Sequence, residues 1–172
     1  MGNEFSQKMS ELLSLSKEEA TRLRSRSINP EHLLLGIIRQ GKGCALDILG
    51  RLNADIHEIK RAIESRSVEG SPADMPYNDN IEMSLGTARI LRFTTLEARS
   101  FKAVADSEHL LLGILKEKNN LAANILEENN ITYSQVFNAI KEKMPESNNM
   151  TNGFGFTDQD DDEETLPGNS NG

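Results

Sequence analysis

Glu31-His32-Leu33-Leu34-Leu35-Gly36-Ile37 returns without a change as Glu108-His109-Leu110-Leu111-Leu112-Gly113-Ile114, 77 residues further along a chain of 172. An internal repeat outranks every other sequence signal, because it says that one structural unit has been built twice. Downstream the same offset pairs Ala45 with Ala122, Ile48 with Ile125, Leu49 with Leu126, Asn53 with Asn130, Ile59 with Val136 and Ile63 with Ile140. Upstream the offset becomes 78, matching Leu12-Leu13 to Ile90-Leu91 and Glu19-Ala20 to Glu97-Ala98. A one-residue deletion in the loop before Glu108 accounts for the step.

The spacing inside each copy is helical. Leu12, Leu15, Ala20 and Leu23 line one surface in the first copy, and Ile90, Leu91, Thr94, Ala98 and Phe101 do so in the second. Capping signals divide each copy into four helices. Asn29-Pro30 sets a cap before a proline at the first helical position, and Asp106-Ser107 takes its place in the second copy. Thr132 and Gln135 have capping-box spacing with Ile131 and Val136 as a hydrophobic staple; Asp55 and Glu58 are the weaker counterpart. The expected fold is therefore all-α, an eight-helix pseudo-twofold bundle of two four-helix repeats over residues 1–144. Repeat one covers 3–66 and repeat two covers 81–144. Residues 67–80, with Gly70, Ser71-Pro72, Pro76 and Asn78-Asp79-Asn80, read as a linker.

After Pro145 the composition changes. Gly153-Phe154-Gly155-Phe156 and a run of aspartates and glutamates bring too little apolar surface to offset the entropy of ordering, so 145–172 are expected to be a flexible acidic, Gly-rich tether. Seven of the acidic side chains that make the formal charge −8 lie there, which leaves 1–144 near neutral. Nucleic-acid binders neutralise phosphates with a basic face, and this balance argues against one. The single cysteine, Cys44, falls in an apolar helical pattern, where a reduced buried thiol in the cytoplasm is the ordinary state. No charged-then-apolar leader opens the chain and no apolar run approaches the ~20 residues of a membrane span, so neither signal peptide nor membrane anchor is expected.

Several motifs have ordinary explanations. Gly36-Ile37-Ile38-Arg39-Gln40-Gly41-Lys42-Gly43 nearly spells a phosphate-binding loop, but Gly43 stands where the magnesium-binding hydroxyl belongs and a helix, not a strand, precedes it. His32 and His109 lack the partners of a zinc site, His57 included, and read as packed or hydrogen-bonded helix-start residues. Arg22, Arg24 and Arg26 read as a solvated helix end. Neither a nucleophile–base pair nor a phosphate loop supports a hydrolase or a nucleotide-dependent enzyme.

The doubled Glu-His-Leu-Leu-Leu-Gly unit, with Phe5-Ser6, Glu18-Glu19-Ala20, Leu96-Glu97-Ala98 and Arg39-Gln40-Gly41-Lys42-Gly43, resembles the Clp N-terminal repeat domain over about residues 3–144. The acidic tail resembles the segment that joins this domain to the first ATPase ring in ClpC-type AAA+ unfoldases. The resemblance implies a binding module, monomeric by itself and part of a hexameric parent. Such a module docks protein clients and adaptors for an unfoldase that feeds a Clp peptidase. ATP and magnesium would belong to ATPase modules outside this chain, which would hold no cofactor of its own. A freestanding helical adaptor or regulator carrying the same repeat is the alternative. In some ClpC-like relatives paired sites bind phosphoarginine, and the family's ligand residues fall here on Glu31 with Ser6 and on Glu108 with Ser84. The chemistry is plausible from first principles. A helix amino end offers N–H groups and a positive dipole to a phosphoryl group, while a carboxylate holds the guanidinium through paired hydrogen bonds. Glutamates in a first turn also gain about 0.3–1 kcal/mol from the dipole with nothing bound.

Overall fold

The computed structural model describes residues 5–67, 81–117 and 119–152. Among them, α1 (Gln7–Arg22), α2 (Pro30–Gln40), α3 (Cys44–Arg51) and α4 (Ile56–Ser67) form repeat one. α5 (Leu85–Ser100), α6 (Ser107–Lys116), α7 (Leu121–Glu128) and α8 (Tyr133–Asn152) form repeat two. The all-α, two-repeat organisation expected from the duplication is the one observed. The chain divides into two units after Val136, and the contacts below lie within the first.

α2 and α6 are the buried centre of each repeat. Leu33, Leu34 and Leu35, like Leu110, Leu111 and Leu112, are at most 2% exposed, so these helices are covered on more than one face. Their glycines let α1 and α5 come close. A Cβ on Gly36 would stand 2.3 Å from Ser16 Oγ and 2.9 Å from the Leu12 carbonyl oxygen; on Gly113 it would stand 2.8 Å from both Thr94 Oγ1 and the Ile90 carbonyl oxygen. The buried hydroxyls of Ser16 and Thr94 are satisfied by donating to the carbonyls of Leu12 and Ile90 one turn earlier.

Local signals end the helices as the sequence suggests. Gly41 ends α2 in the left-handed region at φ 74°, and Gly43, φ 115°, precedes α3, so the near-phosphate-loop is a turn between helices. The Asn29 N–H donates to His32 Nδ1 at 2.8 Å and the Asp106 N–H to His109 Nδ1 at 3.0 Å, each histidine satisfying a helix-start donor. Thr132 and Gln135 form the expected reciprocal pair at the start of α8. The deleted residue can be located too. Arg24 and Lys102 keep equivalent left-handed conformations after α1 and α5, while Ile28 and Ala105 are already in the 77-residue register, so the loss falls between them.

Two features differ from expectation or go beyond it. Ser27–Ile28 (β1) pair in parallel with Glu82–Met83 (β2), and a parallel bridge joins Phe5 to Ala105. These contacts are pseudo-symmetric, and each lashes the segment before one repeat's first helix to the segment before the other repeat's second helix. At the other end, α8 runs past the expected boundary at 144, through Pro145, to Asn152. The proline removes one backbone donor without stopping the helix, and the next glycine, Gly153, lies just beyond it. The remainder of the expected tether, 153–172, and of the linker, 68–80, lies outside the described residues.

Candidate functional site

The β1–β2 pairing decides which sequence-predicted residues are neighbours. The Ser84 N–H donates to the Ile28 carbonyl at 3.1 Å, and Thr87 Oγ1 donates to the same oxygen at 2.7 Å. Ile28 lies three positions before Glu31. On the opposite side the Ser6 N–H donates to the Ala105 carbonyl at 2.9 Å, three positions before Glu108. The expected pairing is thus corrected: Ser84, not Ser6, sits alongside the Glu31 segment, and Ser6, not Ser84, alongside the Glu108 segment. The reason is topological. Each repeat's leading segment crosses the pseudo-twofold axis and packs on the other repeat.

Both serines are N-caps. Ser6 Oγ accepts from the Met9 N–H at 3.0 Å, and Ser84 Oγ accepts from the Thr87 N–H at 3.2 Å while donating to Thr87 Oγ1.

Glu31 lies in the first turn of α2 and is 9% exposed. It opens on a cleft of about 510 Å³. Asn29 and Pro30 line this cleft from the start of α2, Gly86 and Arg89 from the start of α5, and Asn120 and Leu121 from the start of α7, with Glu117 between. Three helix amino ends therefore converge on it, and their positive dipole ends favour an anion. Two carboxylates and one guanidinium share the space. Arg89 is held by Glu117 through Nε at 3.0 Å and Nη2 at 2.7 Å. Burial raises the Glu31 carboxyl above its ordinary value, opposed by its own backbone N–H and by the Asn29 amide.

The corresponding region around Glu108 differs. Glu108 is half-buried. Ser107, at the position of Pro30, uses its hydroxyl to accept the Ala45 N–H of α3 at 3.1 Å, capping a helix of the other repeat. α3 needs this because Gly43 precedes it; α7 instead begins with Asn120, whose Oδ1 accepts the Ala123 N–H at 2.7 Å and whose amide donates to the carbonyls of Ile114 and Glu117.

Arg89 and Glu117 were invisible in the sequence, since nothing about two residues 28 positions apart marks them as a pair across a cleft. Asn120 carried a signal, an asparagine just ahead of Leu121-Ala122-Ala123. Among the described residues no cluster of His, Cys, Asp and Glu is arranged to hold a metal, and no helix is long and apolar enough to cross a membrane.

Comparison with known proteins agrees with this architecture. Over 127 residues the chain is 30% identical to the chaperone protein ClpB of Oceanobacillus iheyensis and 30% identical to the negative regulator of genetic competence ClpC/MecB of Bacillus subtilis. Each match covers 73% of this chain and 15% of the relative, so the chain spans a small part of the length of these curated relatives. The N-terminal domain of the chaperone ClpD from Arabidopsis thaliana has the same fold, with a TM-score of 0.62 at 19% identity over 82% of this chain and 97% of that one. The Clp repeat (R) N-terminal domain pattern matches residues 4–129, and the chain belongs to that family.

Proposed function

We propose that this chain is the client- and adaptor-recruiting module of a ClpC-type ATP-dependent unfoldase in the cytoplasm, and that its glutamate-bearing surfaces take phosphoarginine-tagged clients. The module itself performs no catalysis. ATP and magnesium act in ATPase modules of a hexameric parent, which passes clients to a Clp peptidase. The observation that carries the reading is the Glu31 carboxylate, 9% exposed, facing a cleft where α2, α5 and α7 begin. The cleft pairs a carboxylate with N–H-rich helix ends, which suits a ligand that is cationic and planar at one end and anionic at the other. Ionised Glu31 is disfavoured by burial, and a bound guanidinium relieves that cost.

The test is a chemical-shift titration of the protein with phosphoarginine and with an arginine-phosphorylated peptide. Shifts centred on Glu31 and Glu108, lost in Glu31→Gln and Glu108→Gln, are expected. An unchanged spectrum at both positions removes the phosphoarginine reading.

A further inference from the structure

Within the Glu31 cleft, Arg89 and Glu117 meet in an unusual way. Arg89, in the second turn of α5, donates from Nε at 3.0 Å and from Nη2 at 2.7 Å, and both bonds end on one oxygen, Glu117 Oε2. The arginine is half-exposed while its anchor is largely buried. One edge of the guanidinium plane is thus clamped. The other nitrogen, Nη1, has no acceptor among the described residues and keeps both of its N–H donors. Gly86 leaves the pair uncovered, since a Cβ there would already touch Arg89 Nη2 at 3.9 Å and Glu117 Oε2 at 4.0 Å.

The repeat folds without this pair. At the equivalent positions of repeat one, 78 and 77 residues earlier, stand Glu11 and Gln40, and Gln40 Nε2 donates to the Lys8 carbonyl at 2.9 Å. Lys8 takes the place of Gly86, and Lys42 that of Asn119. The cations on that side are therefore point charges on long stems, where the Glu31 side has a planar fork held in place. A solvent-exposed ion pair adds little to stability, so the fold of repeat two does not explain why arginine and glutamate stand here.

We propose that Arg89, positioned by Glu117, grips the phosphoryl group of the ligand whose guanidinium Glu31 holds, and so makes this cleft selective for phosphoarginine over arginine. The role rests on Glu31 being the guanidinium's partner. Donor geometry carries the selection, not net charge, because Glu117 already balances Arg89. The free Nη1 N–H groups donate to phosphoryl oxygens in charge-assisted bonds, beside the amino ends of α2, α5 and α7. Unmodified arginine draws only on Glu31, and the like charge of Arg89 opposes it. The cleft, about 510 Å³, has room for one such side chain.

The full chain and its Arg89→Gln, Arg89→Glu and Glu117→Gln variants are titrated with phosphoarginine and with arginine, following the amide shifts around Glu31 and Glu108. The unsubstituted chain binds phosphoarginine at Glu31 in preference to arginine. Arg89→Gln weakens phosphoarginine roughly tenfold, the order expected for losing hydrogen bonds to a charged group, and leaves arginine unaltered. Arg89→Glu reverses the preference, and Glu117→Gln lowers it by a smaller factor. Shifts at Glu108 are the same in every variant. Arg89 is half-exposed, so unchanged helical circular dichroism verifies that the variants fold. No response at Glu31 in the unsubstituted chain removes the reading of Glu31 and the role of Arg89 with it. Normal phosphoarginine binding at Glu31 that persists undiminished in folded Arg89→Gln, or an equal loss of phosphoarginine and arginine, overturns the role of Arg89 and leaves that of Glu31 standing.

Discussion

Around Glu31 the first residue of α2 is Pro30, and the helix that faces it, α7, caps itself with Asn120. Around Glu108 the first residue of α6 is Ser107, and its hydroxyl caps α3, which has only Gly43 to begin it. The two glutamates occupy equivalent positions of identical heptapeptides, yet Glu31 is buried while Glu108 is partly exposed, with its Oε1 still buried. The donors differ as well. The Ile28 carbonyl receives both the Ser84 N–H and the Thr87 hydroxyl, whereas at Ala105 the place of Thr87 is taken by Met9, which has no hydroxyl to give. Capping duty has moved across the pseudo-twofold axis, and the environment of each carboxylate has moved with it. The duplicated motif thus specifies one backbone and two different surroundings.

The strictest check on the shared backbone is the glycine pair. Gly36→Ala and Gly113→Ala each drive a methyl into backbone and hydroxyl oxygens at 2.9 Å or less, and each should cost about 2–4 kcal/mol in urea unfolding. A large cost at one position and none at the other would break the equivalence of the repeats. The histidines sharpen the contrast. His32 is lowered to about 4 by burial and the nearby Arg22, while the lowering of His109 by burial is opposed by Asp106 and Glu97. A group depressed in the folded state gives stability that is complete above its unfolded pKa and lost as pH falls toward the folded value. Acidification from pH 6.5 to 4 should therefore draw down stability through His32, by at most about 3 kcal/mol. Two-dimensional NMR should show His109 protonating before His32; the reverse order would contradict the burial argument.

Caps come next in size. Asn120→Ala removes a cap and two carbonyl tethers and should cost about 2 kcal/mol, against about 1 for Ser107→Ala, which removes one bond. Calorimetry that ranked them the other way would show that the cross-repeat cap is the stronger device. The smallest effect is at Glu31. Its raised carboxyl favours the protonated form, so its contribution is complete at low pH and is lost as pH rises through the folded value. Glu31→Gln should leave stability at pH 7 unchanged or slightly improved, the gap closing in acid. A clear destabilisation at pH 7 would mean that the carboxylate is structural and would weaken its assignment as a binding group.

Much of this was legible in the sequence because it is local. Helix periodicity, the caps at Asn29, Asp106 and Thr132, and the duplication are all short-range or self-comparing signals, and the eight helices follow from them. What failed was adjacency. An offset of 77 or 78 says that Ser84 is the equivalent of Ser6; it does not say which glutamate each serine stands beside. That depends on two-residue strands, Ser27–Ile28 and Glu82–Met83, too short to leave a periodic trace. The Arg89–Glu117 pair was hidden for the same reason, since only packing brings α5 and the end of α6 together. The boundary at 144 was drawn from the change of composition after Pro145, whereas α8 continues to Asn152, because backbone helicity can outrun the apolar pattern.

The crossed strands have a consequence for lineage. Each half of the sequence contains a leading segment and a receiving edge, and in this chain every segment is received by the opposite half. One copy alone would leave both ends of that exchange unmet, but two identical copies related by a twofold axis satisfy them mutually. The geometry is that of an arm-exchanged homodimer whose subunits have been joined head to tail. Within one chain the halves need not be identical, and they differ at Pro30 and Ser107, at Gly43 and Asn120, and at Glu18 and Leu96.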